Sequence, residues 1–323
     1  MLALQRTTAS TWGATMLKAR QVYQAVVRPV MAYGAPAWHQ PTKAGRKPKG
    51  PAVKLQAEQN KGLRAVLGAF KATSTRRLET EAYVPPIDLW LNGRIARYQA
   101  RIDSSGIGKV IQNACIAVRN KLRSRLRVRR TRNGPAKTMP SVASQEWAEK
   151  WIGKPIGQWD QREKPLVAQD WIERWTRASG TQDNRLLWPG TDPGGGQVGL
   201  DPAPTAQVLS LHKSLQKAES ALLVQARTGK IGLGKFLYDR KVPGLETAQC
   251  RCGAGFETPR HIVLYCIEEA SRRGQLTDQA GRKWTYKQLI GHAQATKGFA
   301  RWMMGTGRLG QFALAKRLLY NSE

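Results

Sequence analysis

Three of the four cysteines in this 323-residue chain fall within seventeen residues. They lie in Cys250-Arg-Cys252-Gly-Ala-Gly-Phe-Glu-Thr-Pro-Arg-His261-Ile-Val-Leu-Tyr-Cys266, a C-x-C-x8-H-x4-C spacing. Thiolates and imidazoles are the donors that Zn²⁺ takes in tetrahedral sites. Cys250 and Cys252 supply one edge from a tight turn, which Gly253 allows to reverse. His261 and Cys266 follow from a helix opening at Thr258-Pro259, with Thr258 as N-cap and Pro259 at the first helical position. Two residues five apart on a helix point about 140° away from each other. The helix must therefore loosen around Cys266. Four protein ligands leave no open position, so the expected ion is structural Zn²⁺, and the alternative is buried thiols beside a core histidine. Arg251 and Arg260, next to the ligands, are candidate phosphate contacts. Phe256 and Tyr265 could stack on bases; the alternative is packing on the small metal core, which is preferred for Tyr265.

Other chemistry has little support. Polymerases and nucleases hold Mg²⁺ with clustered carboxylates, and acidic residues here are few and scattered. The one adjacent pair, Glu268-Glu269, reads as a solvated turn. His39, His212, His261 and His292 have no activating neighbours in sequence. The run Arg227-Thr-Gly-Lys-Ile-Gly-Leu-Gly234 lacks the residue order of a phosphate-binding loop.

The charge points to a polyanion. The chain carries 53 Lys and Arg against 22 Asp and Glu, a formal +31, and such an excess attracts nucleic acid. An anionic membrane surface is the weaker reading, and no apolar run approaches the ~18 residues of a membrane span. The N-terminus has no secretion signal pattern. The sharpest concentration is Arg119–Arg132: Arg119, Lys121, Arg123, Arg125, Arg127, Arg129, Arg130 and Arg132, with no acid among them. Ile111, Cys115, Val118, Leu122 and Leu126 recur at helical spacing beneath it. This predicts an amphipathic helix whose guanidinium face contacts phosphates. A solvated helix or a nuclear-targeting patch is the alternative.

The elements that must carry these groups are mainly α-helical. Residues 1–106 read as a helical block, with Ala19, Tyr23, Val26, Val27 and Val30 on one face and Pro29 as a kink or break. Helices follow at about Val53–Phe70 and Ile87–Arg101. Residues 107–203 hold the basic helix and a Pro/Gly/Trp-rich connector. There Trp147/Trp151 and Trp171/Trp175 each share a helix face, with core packing favoured over base stacking. Residues 204–323 form a helical C-terminal domain around the Cys/His cluster.

Several of these segments resemble non-LTR (LINE-type) retrotransposon reverse transcriptases, fungal members especially. Ala19-Arg-Gln-Val-Tyr through Ala37-Trp38 resembles the segment after the polymerase palm. Gln59 to Lys71 and Leu78 to Ile87 resemble the thumb. Arg227-Thr-Gly-Lys-Ile-Gly-Leu, the Cys250–Cys266 cluster, and Trp302 with Gln311-Phe-Ala-Leu-Ala315 resemble the terminal CCHC region. Resemblance is weakest over residues 104–203.

The resemblance implies a C-terminal part of such a polyprotein: a thumb gripping template–primer duplex and a zinc knuckle binding element RNA or target DNA, in the nucleus or in a ribonucleoprotein shared between nucleus and cytoplasm. The family's catalytic aspartates, with their Mg²⁺, belong to an upstream palm, and no Asp-Asp pair occurs in this sequence. Polymerase activity of this chain alone is therefore not implied. The alternatives are a domesticated RNA- or DNA-binding adaptor, or a subunit active only with a palm supplied in trans.

Overall fold

The computed structural model describes residues 8–9, 11–39, 41, 48, 50–103, 105–106, 110, 113–114, 117, 167–177, 203–277 and 281–320. The predicted basic helix Arg119–Arg132 and Trp147, Trp151, Trp159 and Trp188 lie outside them. The described residues are mainly helical, with isolated bridges and no strand among them.

The first helical stretch is α1 (Met16–Val22), a π-helical segment (Tyr23–Val27) and α2 (Arg28–Met31). Pro29 does not break it. Proline has no N–H to offer the carbonyl four residues back, and the widened i→i+5 turn just before it accommodates that loss. The π segment also turns the apolar face. Ala19 and Tyr23 are buried and Val27 is half-buried as the sequence predicts, but Val26 and Val30 are exposed, and Met16 and Arg28, outside the predicted face, are buried. Next come α3 (Ala35–Trp38), α4 (Pro51–Leu67), α5 (Thr75–Ala82) and α6 (Ile87–Asp103). Gly68, in the left-handed region at φ 65°, follows the last residue of α4, which stops this helix three residues before its predicted end at Phe70.

After α7 (167–177) the chain continues through a 3₁₀ segment (Ala206–His212) to α8 (Lys217–Thr228) and α9 (Gly234–Asp239). It ends in α10 (Pro259–Leu264), α11 (Tyr286–Gly291), α12 (Thr296–Gly305) and α13 (Ala313–Tyr320).

Two compact units divide these elements. One comprises Met1–Met31, Ala57–Val84 and Ala178–Glu323; the other comprises Ala32–Gln56 and Pro85–Arg177. The first therefore unites most of the N-terminal block with the C-terminal helices, which are widely separated in sequence.

The centre of the first unit is α8, all twelve of whose residues are buried. A helix buried on every side normally reads as apolar throughout. This one is not, because its polar side chains answer polar groups on its neighbours. Lys217 Nζ donates to the Ala65 and Val66 carbonyls at 2.8 and 2.6 Å, at the open C-terminus of α4. Gln225 donates to the Gly68 carbonyl at 2.9 Å. Arg227 Nε pairs with Glu81 Oε2 on α5 at 2.8 Å, and Nη1 donates to the Ile290 carbonyl at 2.8 Å. Around them, Leu222, Leu223, Ile262, Phe299 and Met303 form one apolar cluster, and Met16, Tyr23, Leu63, Leu78 and Val224 form another.

In the second unit, Asp88 is wholly buried and takes both arms of Arg174 at 2.8 and 2.6 Å. His39 sits 2.8 Å from Asn92. Trp171 and Trp175 are buried, as their shared helix face predicts.

Candidate metal centre

Two short pieces of chain deliver the four donors. The first is a hairpin-like turn: Cys250 N donates to Gly255 O at 2.7 Å, Gly253 N donates to Cys250 O at 2.9 Å, and Gln249 bridges Phe256. Gly253 has φ 73°, a conformation that costs glycine no Cβ clash. Gly255 is needed for another reason. A Cβ there would stand 3.2 Å from His261 Nδ1, where the imidazole closes over the turn.

The second piece is α10 and the chain leaving it. Thr258 caps it, its hydroxyl accepting from His261 N at 3.2 Å, and Pro259 is the first helical residue. The helix ends at Leu264, and the Tyr265 and Cys266 amides both donate to His261 O at 2.8 Å. Cys266 is then extended at φ −62°, ψ 119°. This departure from the helix removes the angular mismatch expected from a five-residue spacing.

The result is a cluster of Cys250, Cys252 and Cys266 Sγ with a His261 ring nitrogen, all within 4.8 Å of one another, that could hold a metal ion. Cys250 and Cys266 Sγ are 3.7 Å apart. With Zn–S bonds of ≈ 2.3 Å, a tetrahedral edge between two sulfurs is about 3.8 Å. The donor set and that edge both fit Zn²⁺. Cys252 Sγ and His261 Nε2 lie closer, at hydrogen-bond distance, 3.1 Å. The local environment treats the donors unequally. Burial pushes the Cys250 thiol up to about 11, whereas the Ala254 backbone N–H lowers that of Cys252. Burial also lowers His261 and so favours the neutral imidazole that a metal requires.

A second layer surrounds the sulfurs, and sequence reasoning missed it. Arg308, from the turn between α12 and α13, has a side chain only 1% exposed. Its Nη1 lies 3.4 Å from Cys250 Sγ, and its Nη2 lies 3.4 Å from Cys266 Sγ. Three carboxylates hold it: Glu257 at 3.0 Å, Glu268 at 2.6 Å and Glu269 at 3.1 Å. Burial opposes the guanidinium charge, but the Glu269 and Glu257 hydrogen bonds outweigh it and hold the group above its ordinary range. Of the Glu268-Glu269 pair expected as a solvated turn, Glu268 is exposed but Glu269 is buried and also receives Arg272 at 3.3 Å. One signal was present in sequence. Three of the chain's 22 acidic residues fall among or just after the metal donors.

The glycine-rich run Gly229–Gly234 serves this architecture. Gly229 ends α8 at φ 66°. Gly234 N donates to Glu257 Oε2 at 2.7 Å, so close that a Cβ would collide with the carboxylate.

Of the candidate nucleic-acid contacts near the cluster, the Arg251 side chain is 68% exposed and 3.8 Å from Glu268. Phe256 is exposed, and Lys235 Nζ lies 5.1 Å from its ring centroid. Arg260 is half-buried. Tyr265 is exposed rather than packed inward as preferred from sequence. No helix among the described residues is long and apolar enough to cross a membrane. Comparison with known proteins finds no matching family model, no matching curated protein and no matching solved structure.

Proposed function

We propose that this chain is a nucleic-acid-binding region of the non-LTR reverse transcriptase type, built around a structural Zn²⁺ and not competent to polymerise by itself. The observation that carries this reading is the Cys₃His cluster with an exposed aromatic and cations beside it, in a chain of formal charge +31. Zn²⁺ is the ion that this donor set selects: three thiolates and one imidazole are soft to borderline ligands, and four of them complete a tetrahedron with no position left for substrate. The ion's part is to hold the turn and α10 together. The protein surface then supplies phosphate contacts through Arg251 and Lys235 and a stacking face through Phe256. The segment resemblances described above supply the reverse transcriptase part of the proposal, and the absence of any Asp-Asp pair supplies the limit on activity.

The test is direct. Purified protein is titrated against labelled single-stranded RNA, single-stranded DNA and an RNA–DNA duplex by fluorescence anisotropy at several salt concentrations. It is also assayed for primer extension with Mg²⁺. Binding that weakens steeply with salt, without extension, is expected. Absence of binding at low salt refutes the binding role, and robust extension by this chain alone refutes the limit on activity.

A further inference from the structure

We infer that Arg308 is a working part of the metal centre: its guanidinium positions the Cys250 and Cys266 sulfurs and slows loss of the ion. The inference rests on the Zn²⁺ reading above. It adds a fifth residue to the site, 58 positions from Cys250 and 42 from Cys266.

The geometry is that of a built contact. A buried arginine with one partner could be a packing accident. Arg308 instead spends both terminal nitrogens on the sulfurs, at 3.4 Å each, and each of those nitrogens also meets a carboxylate. The Nε is taken by Glu269. The planar fork is thus oriented from three sides, and the sulfurs lie in the positions left over. Glu257 is in turn fixed by the Gly234 amide. Arg308 could not turn away from the sulfurs without breaking an ion pair inside the fold.

Charge explains what the contact does. Three thiolates and a neutral imidazole around a dication leave a net charge of about −1 in a partly buried place. A guanidinium hydrogen-bonded to two of the sulfurs offsets that charge and draws on their lone pairs. Outer partners of metal ligands typically change metal affinity by about 10–100-fold. Charge-assisted hydrogen bonds also hold a donor in the orientation that the metal needs. The third sulfur, Cys252, lies outside Arg308's hydrogen bonds and instead faces His261. The site is therefore asymmetric: two shielded sulfurs, and one that faces the imidazole.

The experiment compares wild type with Arg308→Gln, Arg308→Lys and, as a control for general destabilisation, Met303→Ala, a fully buried residue of the apolar cluster. Zinc content is measured first. Zinc transfer to a chromogenic chelator is then timed, and the sulfur-to-metal charge-transfer band of the Co²⁺-substituted protein is recorded. Arg308→Gln should release zinc about 10–100-fold faster and move the band to lower energy, since the sulfur lone pairs are no longer tied up. Arg308→Lys should fall between, and Met303→Ala should leave the band in place. A zinc-loaded Arg308→Gln protein with wild-type release and an unmoved band overturns the inference while leaving the Zn²⁺ reading intact. Wild-type protein that takes up no zinc overturns both. Should the Arg308 variants not fold, ¹¹³Cd-loaded wild type gives the answer: coupling from the Arg308 guanidinium protons to cadmium through the N–H···S bonds is expected, and its absence overturns the inference.

Discussion

Arg227 and Glu81, 146 residues apart in the chain, form an ion pair at 2.8 Å with their side chains 9% and 1% exposed. This pair joins α8 to α5 inside the first compact unit. Removing one partner strands the other charge in the interior, which costs about 3–5 kcal/mol, whereas replacing both with apolar groups costs much less. Arg227→Met and Glu81→Leu should each lower unfolding free energy by that amount. The double variant should recover most of it, measured by denaturant titration. Additive losses would show that the pair is not coupled.

Lys217 makes stability depend on alkaline pH. Burial pushes its ammonium down to about 7, from an ordinary value near 10.5. Below pH 7 the group is charged in both folded and unfolded chains, and the burial penalty applies in full. Between about 7 and 10.5 the unfolded chain binds more protons, so stability attributable to this residue rises with pH by up to about 1.4 kcal/mol per unit. The difference between wild type and Lys217→Met, followed by chemical denaturation from pH 6.5 to 10, should show that rise. A flat difference would contradict it.

Gly234→Ala should be costly although the backbone itself is unstrained. The new Cβ would meet the Glu257 carboxylate, which holds both the Gly234 amide and Arg308. Over-packing of this kind costs about 1–3 kcal/mol. Gly244→Ala provides the contrast. A Cβ there meets nothing within 4 Å, but φ is 83°, so its loss reports backbone strain alone. Thermal unfolding of the zinc-loaded proteins should show a loss for both variants, and timed zinc transfer to a chelator should show faster release with Gly234→Ala only.

Metal removal should destabilise the unit that contains the cluster. Mass action gives about 4 kcal/mol of stabilisation at a thousandfold excess of free ion over its dissociation constant. Elemental analysis should find one zinc per chain, and chelation should lower the melting temperature reversibly. A variant with both Cys250→Ala and His261→Ala should contain no zinc and melt with the chelated wild type. Equal melting of loaded and chelated wild type would argue against a structural ion.

Arg251→Ala and Lys235→Ala should weaken RNA or DNA binding by similar factors across sequences and reduce the salt slope by about one each if each contacts a phosphate. Phe256→Ala should weaken single-strand binding with little change in slope, since stacking is worth about 1–3 kcal/mol per base without counterion release. Anisotropy titrations at three salt concentrations separate the two behaviours. An unchanged slope in both cation variants would move the phosphate contacts elsewhere.

The parts of this protein legible in its sequence are those governed by neighbours along the chain. The start of α10 follows from Thr258-Pro259. The turn at Gly253 and the convergence of Cys250, Cys252, His261 and Cys266 follow from donor types and spacing. The existence of α4, the start of α6 at Ile87 and the burial of Trp171 and Trp175 follow from apolar periodicity, whereas the end of α4 is set by Gly68. Near Pro29 the same logic failed, because a π-helical turn changes the residue count on which a face is read.

What only the tertiary structure decided concerns charged residues. By type alone, Arg308, Arg227, Lys217, Glu81 and Glu269 belong on the surface, and each is buried in the fold. Their burial is tolerable only because a partner from a distant segment arrives at hydrogen-bond distance, and periodicity carries no information about such arrivals. The sequence determines which donors can gather around an ion. Packing determines that Arg308 stands behind two of them, since a guanidinium stays in an interior only where carboxylates and sulfurs from other segments replace its water.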